Sequence, residues 1–141
     1  MSDQKAPSTK FETGRAVRAS VLGEAHVARA ENGSDPFDQP FQELISEGAW
    51  GTVWAGKQWS MRERSMVTIA LLAALGHHEE VAMHIRAAQN TGASREDIRE
   101  ALMHVAIYAG VPAANSAIKI AKQVFEQIDK KRGDNGAHDE L

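Results

Sequence analysis

Two stretches of the chain are too apolar to form ordinary surface helices. Val67 to Leu75 is almost continuously apolar, and Ala101 to Ala109 is interrupted only by His104 and Tyr108. A helix that is apolar all round is covered on all sides. A chain of 141 residues has few elements with which to cover two of them. At least one must be sandwiched between neighbours or meet another subunit, which predicts a homo-oligomer.

The punctuation around these runs is helical. Ser60-Met61-Arg62-Glu63 is a capping-box pattern, in which the Ser and Glu satisfy each other's free backbone N–H groups. Ser94-Arg95-Glu96-Asp97 repeats it with Asp in the Glu position. Gly76, Gly92 and Gly110 are stop signals, and Pro112 suits a first helical turn. The spacing predicts helices over Thr13–Leu22, Glu24–Ala30 and Phe41–Ala49, with Pro36 and Pro40 breaking the stretch before the third. It predicts further helices from the first box to Leu75, over His78–Thr91, from the second box to near Gly110, and from Pro112 to about Asp129. No period-two alternation is long enough for a strand, Val53-Trp54 being the only tempting spot. The expected fold is all-α, a single-domain bundle of six or seven helices over residues 11–129. Residues 1–10 read as a flexible arm and residues 130–141 as a flexible tail, because both are polar or charged and poor in core residues.

Composition removes several functions. The chain has no Cys, so disulfides, thiolate nucleophiles, zinc–thiolate sites and CxxC redox chemistry are excluded. A formal net charge of -3 argues against nucleic acid as a partner. The longest apolar run is about half a membrane span, and the N-terminal residues lack the apolar core of a secretory signal. The expected location is cytoplasmic, with no membrane partner.

Polar groups on otherwise apolar helices are the candidates for chemistry. His77, Glu80, His84 and Ala88 recur at spacings of three and four, on one stripe of the 78–91 helix. A carboxylate beside an imidazole in a partly dry place can hold the ring's tautomer and move a proton near neutral pH. The same Glu80–His84 spacing also describes an ordinary surface ion pair. His77, Glu80 and His84 are conceivable metal ligands, but His77 precedes the helix and no fourth ligand is identifiable, so proton transfer is preferred to metal. His104 and Tyr108 form a second pair four apart, readable on spacing alone as a satisfied core histidine and an anchored tyrosine. Arg62 and Arg64 stand in a first helical turn, where cations oppose the helix dipole; each calls for an anionic partner, a ligand or an acid such as Glu63 or Glu43. Arg86 falls on the opposite side of its helix from Glu80 and His84. Trp50, Trp54 and Trp59 lie within ten residues, lining a pocket or packing between subunits.

Several motifs in one order carry a resemblance. They are Val21-Leu22-Gly23-x-Ala25-His26-Val27, Ala49-Trp50-Gly51-x-x-Trp54, Arg64-Ser65-Met66-Val67-Thr68-Ile69-Ala70, Glu79-Glu80-x-x-x-His84-Ile85-Arg86-Ala87-Ala88, and Met103-His104-x-Ala106-Ile107-Tyr108-x-Gly110-x-Pro112-Ala113-Ala114-Asn115. Together they resemble the γ-carboxymuconolactone decarboxylase family over residues 11–127. The wider alkylhydroperoxidase D-like superfamily has CxxC followed by His where this chain has His77, Glu80 and His84. Without the cysteines, thiol-based peroxide reduction does not carry over. Gly48 departs from the family pattern, which has a larger residue such as His or Tyr there.

The resemblance implies an all-helical subunit that assembles into a ring, commonly a hexamer. It implies the cofactor-free conversion of 4-carboxymuconolactone to 3-oxoadipate enol-lactone and carbon dioxide, in the protocatechuate branch of aromatic catabolism. His84 and Glu80 are then the expected catalytic residues. Arg64 and Arg86 would hold substrate carboxylate, with His104, Tyr108 and Trp50 as further substrate contacts. The alternatives are a related decarboxylase or lactone-modifying enzyme with another substrate, left open by Gly48, and a non-catalytic helical oligomer.

Overall fold

In the computed structural model, residues 9–139 are described, with side chains for residues 9–134. Among them are seven α-helices, one π-helical segment and no strand, as the periodicity predicts. They fall into two compact units that meet in sequence between Met61 and Arg62.

The first unit holds α1 (Thr9–Leu22), α2 (Glu24–Asn32), α3 (Gln39–Leu44) and the π-helical segment Ile45–Val53. Pro40 does not break α3; it sits in the first turn, where its missing N–H costs nothing. The tempting strand at Val53-Trp54 is instead the end of the π-helical segment, closed by the Trp54 N–H donating to the Ala49 carbonyl at 2.8 Å. The segment packs against α1 at near-backbone distance, and two glycines permit it. A Cβ on Gly14 would lie 1.8 Å from the Ser46 carbonyl oxygen, and one on Gly51 would lie 2.3 Å from that of Lys10. The contact reaches Lys10, so α1 begins at Thr9, a turn before the expected Thr13 and inside the expected 1–10 arm. Residues 1–8 of that arm lie outside the described residues.

The second unit holds α4 (Met61–Leu75), α5 (His78–Thr91), α6 (Arg95–Tyr108) and α7 (Val111–Asp139). Its core joins Ile69 and Ala73 of α4, Val81, Ile85 and Ala88 of α5, and Ile98, Leu102 and Val105 of α6 to an alanine-rich stripe of α7. That stripe is Ala114, Ala117, Ala121 and Val124, spaced three and four apart. Each large aliphatic side chain buried here contributes about 1.5–3 kcal/mol relative to exposure. At the α4–α5 turn, Gly76 has φ +76°, and the N–H of His77 reaches back to the Leu72 carbonyl at 3.0 Å. This left-handed closure leaves His77 at the N-cap of α5. The predicted Ser94 capping box is present in full, with Ser94 Oγ accepting from the Asp97 N–H and the Asp97 carboxylate accepting from the Ser94 N–H. Helix α7 runs on to Asp139, past the expected end near Asp129, and every side chain from Asp129 to Asp134 is exposed. The Lys130-Lys131-Arg132 run favours this extension, since long basic residues are good helix formers.

The two apolar helices are covered on one side only. Helix α4 buries Ser65, Ile69 and Ala73 but exposes Val67, Leu71 and Leu75, which recur every four residues. Helix α6 exposes Met103, with Ile107 at 78% and Tyr108 at 85%.

Candidate active site

The helix α5 places the central candidate. Its stripe of Val81, Ile85 and Ala88 faces the core, and His84 shares that side, 6% exposed. Few polar side chains reach such depth, since burying a polar group is costly unless it is satisfied. Glu80, one turn earlier, is exposed. The stripe therefore climbs out of the core over one turn, putting an imidazole inside and a carboxylate at the solvent edge.

Among the described residues, Ser65 of α4 is the other buried polar side chain of this unit, and its hydroxyl lies 2.6 Å from that of Thr91 at the end of α5. That bond ties α4 to α5. Sequence reasoning passed over both residues, although a lone Ser in an apolar helix was the available signal.

The remaining candidates are dispersed within the unit. Arg64 is partly buried on α4. Arg86 is exposed and donates to Gln127 of α7 at 2.9 Å, consistent with its place on the far side of α5 from His84. His104 and Tyr108 are not core residues. Both are exposed, with rings stacked at 6.2 Å between centroids, because that face of α6 points out of the single chain. Arg62 has an internal partner, donating through Nε and Nη2 to the two carboxylate oxygens of Asp97 at 2.7 and 2.6 Å. Among the described residues, no group of three His, Asp or Glu is placed to hold a metal ion.

In the first unit, Trp50 is buried and packs against the buried Trp54, ring centroids 5.1 Å apart and planes tilted by 30°. Trp59, the third of the group, is exposed. Trp50 lies within the π-helical segment and Trp54 caps it, and their spacing of four puts both on one side.

The sequence pattern of the Carboxymuconolactone decarboxylase family matches residues 39–123. The chain is also 42% identical over 119 residues to the 4-carboxymuconolactone decarboxylase of Acinetobacter baylyi, covering 84% of this chain and 89% of that one. The chain belongs to the carboxymuconolactone decarboxylase family. A second relative, the nitrosuccinic acid decarboxylase of Metarhizium robertsii, is 38% identical over 129 residues, or 89% of this chain and 90% of that one. The family match spans α3 to the first part of α7 and includes Trp50, Arg64, Glu80, His84, Arg86, His104 and Tyr108. Membership agrees with the all-helical subunit, and both named relatives are decarboxylases. No described helix is long and apolar enough to cross a membrane.

Proposed function

We propose that this chain decarboxylates 4-carboxymuconolactone to 3-oxoadipate enol-lactone, with His84 as the proton donor. The observation that carries this reading is the 42% identity, over 84% of the chain, to a protein of that activity. The chemistry suits a chain without cysteine. The departing carboxylate sits on a saturated carbon attached to a C=C bond that is conjugated with the lactone carbonyl. Breaking the C–CO2 bond sends its electron pair through the double bond onto the carbonyl oxygen, so the substrate supplies the electron sink that a cofactor otherwise provides. The resulting dienolate then takes a proton at carbon.

The protein anchors the surviving carboxylate, stabilises the developing oxyanion and delivers the proton. Arg64 is assigned the carboxylate, which matches the guanidinium fork, and Arg86 joins it only where the ligand or a neighbouring subunit wraps around α5. The buried His84 delivers the proton, and Glu80 at the solvent edge positions and recharges it. His104 and Tyr108 complete the substrate contacts. A preorganised donor of this kind contributes roughly 3–4 kcal/mol to transition-state stabilisation.

The working form is a homo-oligomer, a hexamer by family resemblance, in the cytoplasm. The exposed Val67, Leu71 and Leu75 of α4 and Met103 and Ile107 of α6 support subunit contact, since apolar stripes of this length are rarely left in water.

The similarity to a nitrosuccinic acid decarboxylase favours one second reading, an acid whose electron sink is a nitro group in place of a conjugated lactone. Freshly prepared 4-carboxymuconolactone and nitrosuccinic acid, offered separately in D2O, distinguish the two. The first reading predicts CO2 release from the lactone and a single deuterium in the enol-lactone product by NMR. Release from nitrosuccinic acid alone replaces it with the second, and release from neither overturns both.

A further inference from the structure

The first unit contains a cavity of about 360 Å³ between α1, α2 and α3, to which none of the residues assigned to decarboxylation contributes. Its volume is more than twice that of an apolar cavity of about 150 Å³ known to accept benzene, and lies within the usual range for small-molecule sites. Phe11, Val27, Ala30 and Pro36 give it an apolar wall.

Two arginines line it, and they differ in one respect. Arg15 is committed, donating from Nε to Glu31 and from Nη2 to Glu24, each at 2.8 Å. Arg18 has no ion-pair partner among the described residues. Its Nε is buried without a hydrogen bond, and Nη1 reaches only Gln42 at a long 3.4 Å. Burial accordingly holds its pKa below the ordinary arginine value, with the Glu31 charge opposing. A guanidinium in this state is incompletely compensated, and an anion in the adjoining cavity supplies what is lacking.

The acids of the lining define how much negative charge is tolerated. Glu31 is engaged by Arg15, and an Asp35 carboxylate oxygen accepts the Phe37 N–H at 2.8 Å. Glu43 also lines the cavity and repels a second negative charge.

We propose that this cavity binds a small monocarboxylate with an apolar ring or chain, its carboxylate on Arg18 and its body against Phe11 and Val27. The site stands independently of the decarboxylase assignment.

Calorimetric titration of the full chain tests it with three probes: benzoate, its neutral analogue benzamide, and the dianion adipate. Benzoate is expected to bind saturably, and both benzamide and adipate at least tenfold more weakly. Arg18→Met is expected to weaken benzoate at least tenfold while keeping or raising the melting temperature without ligand, since an apolar side chain removes an uncompensated charge. If Arg18→Met does not fold, Arg18→Lys takes its place, with the same loss expected because it lacks the planar fork. His84→Gln is expected to leave benzoate affinity unchanged. Equal binding of benzoate and benzamide, retained binding in the Arg18 variant, or loss of binding in His84→Gln overturns the proposal.

Discussion

Arg62 grips Asp97 through one edge of its guanidinium, Nε to one carboxylate oxygen at 2.7 Å and Nη2 to the other at 2.6 Å. Asp97 is also half of the capping box that opens α6. One carboxylate thus closes the start of α6 and ties it to the first turn of α4. The cation in that turn, unfavourable for the α4 dipole, is explained by this partner.

The pair makes stability depend on acid. Arg62 foremost, then the Ser94 backbone N–H, holds the Asp97 carboxyl far below the usual carboxylate range. Arg95 does the same, to a smaller degree, for Asp129. A depressed folded pKa means that the stabilisation is complete above the unfolded value of about 3.9. It fades as pH falls below that value, because the unfolded chain takes up the proton first. The melting temperature of wild type should exceed that of Asp97→Asn at neutral pH, with the gap narrowing below about pH 4. A gap constant down to pH 2 contradicts the assignment.

Ser94→Ala removes the other half of the box. It should lower stability by about 1 kcal/mol, measured by urea unfolding, with an unchanged m-value.

Gly14→Ala tests the backbone contact between α1 and the π-helical segment. The added methyl meets the Ser46 carbonyl oxygen, backbone that cannot swing aside. A loss of about 1–3 kcal/mol is expected from overpacking, with a changed Trp fluorescence spectrum because Trp50 belongs to that segment and Trp54 caps it. Gly48→Ala, whose Cβ would meet nothing within 4 Å, is the control and should be near neutral.

The helices of this chain were legible because their ends are written in local chemistry: Ser94 with Asp97, Gly76, Gly92 and Pro112. The π-helical segment was not, because its cause is non-local. Gly14 and Gly51 sit 37 positions apart, and only their juxtaposition shows why the wider turn is accommodated there. The candidate site was legible in part. The three-and-four spacing put Glu80 and His84 on one stripe at the edge of the core, but not His84 inside it and Glu80 in solvent. His104 and Tyr108 read as core because an apolar run looks the same whether its neighbour is the same chain or another one. Arg62 called for an anion, a ligand or a nearby acid such as Glu63 or Glu43, and the anion is Asp97 in the cap of α6, encoded 35 residues away.

The exposed apolar stripes predict what association depends on. Leu71→Lys on α4 and Ile107→Lys on α6 should each shift the sedimentation coefficient of the oligomer towards that of a monomer, since both side chains stand in water in the single chain. The folded helical content should persist, because neither residue belongs to the buried core.

The buried imidazole of His84 as proton donor is the centre of the functional account. The most direct test is the single-turnover rate of 4-carboxymuconolactone decarboxylation by wild type and by His84→Gln, with helical content checked by circular dichroism. The account predicts a folded variant slowed by about 10²-fold or more, the usual size of a lost acid–base group. A His84→Gln enzyme that turns over at the wild-type rate contradicts it.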